Sequence, residues 1–107
     1  MLERDESFQR GLERSRNGDH HGAEREFTHA IESGYEEPTV YLLRALSRFR
    51  LEQWAGAEAD ATLALQQLPY TGTYALRGAS RLKQKRYIHA ASDLIIAAYT
   101  WLREKLF

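Results

Sequence analysis

The sequence has no cysteine, only two prolines and one methionine in 107 residues, and its 15 acidic side chains cancel its 15 basic ones. Without cysteine there is no disulfide framework and no thiolate metal site. Without a basic excess, binding to nucleic acid is not expected. No stretch approaches the roughly 18–20 apolar residues that a membrane span needs, so no membrane partner is expected. The opening Met1-Leu2-Glu3-Arg4-Asp5-Glu6 is charged and leads into no apolar run, unlike a secretory signal. A cytoplasmic protein is the resulting expectation. Valine and isoleucine are scarce and scattered, which leaves no alternating pattern for strands.

Catalytic and metal-binding patterns are missing too. The glycines form neither a P-loop nor a dinucleotide fingerprint, and no serine sits in a nucleophile-elbow context. His20, His21, His29 and His89 show no ligand spacing on one helix face. No catalytic residue, metal or cofactor is expected.

What is present is a repeat. With Gly11, Ala45 and Gly78 aligned, Ala23, Ala57 and Ala90 fall into register, as do Ala30, Ala64 and Ala97. Three small residues thus recur at offsets 0, 12 and 19, with copies 34 and then 33 residues apart. Tyr41 and Tyr74 share a column in which copy one has Ser7; Trp54 and Tyr87 share one in which it has His20. Phe27 and Leu94 are large where copy two has Ala61. Apolar residues at helical spacing predict six amphipathic helices, near 3–16, 20–33, 38–51, 54–67, 72–84 and 87–106. Gly18 and Gly34 are expected to end helices, Asp19 to cap the second and Thr71 to cap the fifth.

The run Tyr41-x-x-Arg44-Ala45, then Trp54-x-x-Ala57, Ala61-x-x-Ala64 and Pro69 resembles the tetratricopeptide repeat. So does Tyr74-x-x-Arg77-Gly78, then Tyr87-x-x-Ala90 and Leu94-x-x-Ala97. The resemblance spans roughly residues 4 to 102 and departs from the family pattern at Ser7 and His20. It implies an all-α fold, a right-handed superhelical array of three antiparallel helix hairpins. The expected organisation is a single domain over 1–107, with repeats about 4–37, 38–70 and 71–104. The family is mostly a scaffold for binding other proteins, so a protein-interaction module of adaptor or chaperone-like type is expected.

Two arginine columns stand out. Arg10, Arg44 and Arg77 each precede an acid by 16 residues, which predicts the structural ion pairs Arg10–Glu26, Arg44–Asp60 and Arg77–Asp93. Arg14, Arg48 and Arg81 form a second column. Either their aliphatic stems pack between repeats with the heads in solvent, or they form a basic line for partner carboxylates.

In this family the first helices of the repeats line a concave groove. The resemblance places Phe8 and Leu12 there from copy one, Leu42, Leu46, Phe49 and Arg50 from copy two, and Ala75, Ala79, Leu82 and Lys83 from copy three. Some family members clamp the C-terminal carboxylate of a chaperone through lysines, asparagines and an arginine. The corresponding positions here are Phe8, Leu12, Leu43, Gly72 and Leu76, which supply no such donors, so that mode is not expected. A largely apolar groove suits an amphipathic helix or an extended apolar segment of a partner. Small bacterial secretion chaperones with three such repeats offer an analogy.

The last helix is richly apolar, where solenoids normally end in a polar cap. Tyr99, Trp101, Leu102, Leu106 and Phe107 are the expected oligomer interface; the alternative function is a structural subunit or homo-oligomer assembled through this helix, with a homodimer as the preferred form.

Overall fold

The structure, a computed structural model, describes residues 2–106. Six helices follow one another: α1 (Glu3–Arg16), α2 (His20–Glu32), α3 (Thr39–Arg50), α4 (Trp54–Leu65), α5 (Thr71–Lys83) and α6 (Tyr87–Leu106). Each packs against its successor, and α3 also touches α5. The result is an all-α array of three antiparallel hairpins, with no strand among the described residues.

The turns follow from local chemistry. After α1 the chain passes through Gly18 at φ +79°, a left-handed conformation that costs glycine nothing. Asp19 then accepts a hydrogen bond from the Gly22 amide at 2.9 Å and starts α2. Copies two and three make the same turn without glycine, placing Glu52 at φ 62° and Lys85 at φ 63°. Gly34, at φ +97°, follows α2.

Several helix ends differ from expectation. Helix α3 begins at Thr39, one residue late, with Pro38 at its cap position already in helical conformation at φ −60° and ψ −24°. Helix α4 stops at Leu65, two residues early. Thr71 does not cap α5. It is the first helical residue, Tyr70 precedes it in extended conformation, and its hydroxyl lies 2.7 Å from that of Thr100.

Within each hairpin, residue sizes are matched across the crossing. A Cβ added at Gly11 would lie 2.5 Å from the Phe27 ring, and one at Gly78 would lie 3.0 Å from Leu94. Copy two reverses the assignment, with Ala45 opposite the small Ala61, both buried. A methyl group fits at the crossing only where the facing side chain has shrunk.

Two apolar clusters result. The first holds Phe8, Ala23, Phe27, Ala30 and Val40; the second holds Ala45, Ala61 and Leu76. Thr73 of α5 is fully buried in the column where α3 has Val40, and its hydroxyl has no partner among the described residues. That hydroxyl detracts from stability where valine's methyl would not.

Candidate partner-binding groove

A network of arginines fixes the angle between hairpin arms and between repeats. Arg44 forks onto Asp60, with Nε donating to Oδ2 and Nη2 to Oδ1, both at 2.8 Å. Arg77 repeats the fork on Asp93 at 3.0 and 2.8 Å. Arg10 Nε reaches Glu26 at 2.9 Å, but in a more exposed setting. Asp60 and Asp93 are each only 1% exposed, so both depend on these donors. Hydrogen bonding to Asp60, opposed by burial, holds the Arg44 guanidinium above its ordinary pKa.

The second arginine column is a correction to both expectations. The heads of Arg48 and Arg81 are neither in solvent nor free for a partner, while Arg14 stays exposed but paired. Arg48 of α3 donates to Glu24 on the preceding hairpin at 3.2 Å and to Asp60 on its own at 3.1 Å. Arg81 of α5 likewise bridges Glu58 at 2.9 Å and Asp93 at 2.8 Å. Arg14 has no preceding hairpin. It turns instead to Asp19 at 2.9 Å and lies 3.6 Å from Glu26. The acid that receives the next repeat, Glu24 or Glu58, was not singled out in the sequence, though its 34-residue recurrence was there to find. Burial pushes the Glu58 carboxyl up, but hydrogen bonds from Arg81, Gln84 and Arg86 bring it below its ordinary value.

Copy one compensates for its departures from the repeat pattern. The buried Ser7 stands where the other copies have tyrosine, and its hydroxyl meets His29 Nδ1 at 2.9 Å. His29 Nε2 lies 3.1 Å from Glu3 Oε1. This serine–histidine–glutamate chain resembles a catalytic triad in composition only. Ser7 has no exposed surface and also accepts from Arg10 at 3.1 Å, so no substrate reaches it in this conformation. Among the described residues no three histidine, cysteine, aspartate or glutamate side chains could hold a metal.

The expected groove residues divide into floor and surface. Phe8 is a correction: it is buried, stacked on Tyr35 at a ring distance of 4.4 Å and packed near Phe27 at 5.9 Å, so it belongs to the core. Leu12, Leu42 and Phe49 are half-buried against the two clusters, and Ala75 and Ala79 are half-buried beside them. Leu46 and Leu82 stand out, at 44% and 47% exposure. Arg50 and Lys83 are exposed. Lys83 Nζ lies 5.4 Å from the Trp54 ring centre, and Trp54 meets Phe49 edge-on at 5.0 Å, which ties this cation to the groove floor. The positions matching the carboxylate clamp are side chains without donors: Phe8 and Leu76 are buried, Leu12 and Leu43 half-buried, and Gly72 has no side chain. Three surface depressions lie away from these residues, around Tyr35, Asn17 and Ile88. The face that carries Leu46 and Leu82 is largely apolar.

At the other end, Tyr99, Trp101, Leu102 and Leu106 are all exposed on α6, while Phe107 lies outside the described residues. Ile88, 85% exposed, and Ile95 join them. Ile88, Ile95 and Leu102 are seven apart, as are Tyr99 and Leu106, so they form one stripe along the helix. No helix is long and apolar enough to cross a membrane among the described residues.

No family model matches the sequence, and no curated protein matches it. Solved structures match its shape. The second tetratricopeptide domain of Spaghetti (RPAP3), bound to the HSP90 peptide SRMEEVD, has a TM-score of 0.83 at 20% identity, covering 92% of this chain and 93% of that one. The first such domain of Spaghetti (RPAP3), bound to the same peptide, gives 0.82 at 25% identity over 92% and 79% of the two chains. The TPR2B domain of yeast Sti1, in a complex with pHsp70, gives 0.79 at 23% identity over 91% and 78%.

Proposed function

We propose that this chain, which has the tetratricopeptide-repeat fold, is a non-catalytic interaction module, cytoplasmic in setting, that holds a helical or extended segment of a partner protein across the face made by α1, α3 and α5. The observation that carries this reading is the apolar surface that α1, α3 and α5 share. Leu46 and Leu82 are exposed above a floor of Leu12, Leu42, Phe49, Ala75 and Ala79. Exposed leucines on neighbouring first helices favour burial against an apolar segment, at roughly 25 cal/mol per Å² covered. The structural neighbours support a peptide-binding, chaperone-associated role, since they are bound to peptides or complexes of HSP90 and Hsp70. The missing clamp donors point to an internal apolar segment instead of a terminal carboxylate.

The test is affinity capture from source-cell lysate with the wild-type chain beside a Leu46→Glu/Leu82→Glu variant. Both positions are exposed, so the variant should keep its helical circular dichroism. The expected result is a partner held by wild type and lost by the variant. Retention of the same proteins by both would sink the groove reading.

A second reading is favoured by one observation at the array's end. The bridging acids Glu24 and Glu58 have Ala91 as their counterpart in copy three, and Thr28 and Thr62, which accept from Arg44 and Arg77, have Ile95. Helix α6 therefore presents apolar groups where α2 and α4 present acceptors for the next repeat's arginines. A homodimer through this stripe would cover it. Wild type and variant that both retain only copies of themselves would favour this account.

A further inference from the structure

We infer that the groove selects partner segments carrying acidic side chains along one edge, read by Arg16, Arg50 and Lys83; the inference deepens the groove reading above and rests on it. These three cations stand 34 and 33 residues apart, each in the last turn of the first helix of its hairpin. Each comes four residues after a groove position, Leu12, Leu46 or Ala79, and so shares that helix face one turn further on. All three are exposed.

Their lack of carboxylate partners sets them apart, although Lys83 also rests over the Trp54 ring. The arginines of the two other columns, Arg10, Arg44 and Arg77 and then Arg14, Arg48 and Arg81, are all neutralised inside the molecule. Arg16, Arg50 and Lys83 make no ion pair among the described residues. Other unpaired cations, such as Arg25, Arg103 and Lys105, share no column with one another. Cations in a last turn also favour the helix dipole, but the dipole does not require them to share the face of Leu12, Leu46 and Ala79. The row adds an ordered positive edge beside exposed Leu46 and Leu82. A polyanion such as nucleic acid would match the charge and leave the leucines facing phosphates. An apolar segment with acids down one side matches both.

The repeat also sets a spacing. Neighbouring helix axes come no closer than about 10 Å, so acids that meet successive cations should recur at about that interval or more. A helical partner meets it with an acid roughly every seventh residue, at 1.5 Å per residue. An extended partner meets it with one roughly every third, at about 3.3 Å per residue.

The test is selection from a phage-displayed library of random peptides on three forms of the full chain: wild type, Leu46→Glu/Leu82→Glu, and Arg16→Glu/Arg50→Glu/Lys83→Glu. The expected wild-type pool combines apolar residues with Asp and Glu at one of the two spacings. The charge-reversed form should enrich Lys and Arg instead. A selected acidic peptide should bind the charge-reversed form about tenfold more weakly at low salt, with the difference shrinking in high salt. Amidation of its C-terminus should change nothing, since no terminal carboxylate is read. An apolar wild-type pool without acid enrichment, or an acid preference that survives charge reversal, would overturn the inference and leave the groove intact. A wild-type pool that the Leu46→Glu/Leu82→Glu form binds equally well would overturn the groove reading and this inference with it.

Discussion

Replacing Asp60 by alanine should cost about 3–5 kcal/mol, the range seen when one partner of a buried ion pair is removed. Asp60 is 1% exposed and receives three hydrogen bonds, two from Arg44 at 2.8 Å and one from Arg48 at 3.1 Å. The substitution leaves the largely buried Arg44 guanidinium with only Thr28 Oγ1 at 3.2 Å, and Arg48 with only Glu24. It also removes the joint between the arms of the central hairpin and leaves Arg48, which ties this hairpin to the first through Glu24, without its anchor on α4. Domains of this size have about 5–15 kcal/mol in total, so the loss reaches a large part of the whole. Urea unfolding followed by circular dichroism measures it. Glu6→Ala is the control. Glu6 and its partner Arg10 are 50% and 45% exposed on their side chains, and an exposed pair contributes at most about 1 kcal/mol. Equal losses from the two variants would refute the role given to burial.

Phe27→Ala should be comparably severe, at about 3–5 kcal/mol. Phe27 is the largest fully buried side chain, and its ring fills the space left by Gly11. Alanine there would open a cavity lined by Phe8 and Gly11. The converse change, Gly11→Ala, should cost about 1–3 kcal/mol, because its new methyl would meet the rigid ring. Combining Gly11→Ala with Phe27→Leu should cost clearly less than the sum of the two single changes, since the smaller side chain admits the methyl. The same urea titrations give the coupling. Strict additivity would show that the crossing is not matched by size, as the Gly11–Phe27, Ala45–Ala61 and Gly78–Leu94 facing pairs argue.

Most of the architecture was legible in the sequence because small residues are required wherever helices cross closely, so Gly11, Ala45 and Gly78 recur at fixed spacing. The turn between the arms was legible at Asn17-Gly18-Asp19, where glycine announces a positive φ. It was not legible at Glu52 and Lys85, which take the same conformation without that signal. Arg44 and Arg77 could be assigned partners because their acids lie within one hairpin, 16 residues on. Arg48 and Arg81 could not, since each reaches back across a repeat boundary to Glu24 or Glu58, a contact set by how hairpins stack. Periodicity put Phe8 on the groove face, but it does not say how far a side chain sinks. The Tyr35 ring, from the segment after α2, draws Phe8 into the core. The same limit hid the exposure of Ile88 at the start of α6, in the column of His21 and Ala55, which are exposed too.

The proposal that partners bind on the face of α1, α3 and α5 is tested most directly by site-specific photocrosslinking. A benzophenone side chain would replace Leu46 on α3 in one protein and Leu63 on α4 in another, two positions of equal exposure at 44%. Irradiation in source-cell lysate should yield a crosslinked partner from position 46 and none from position 63. A partner crosslinked equally from both positions, or from position 63 alone, would contradict the account.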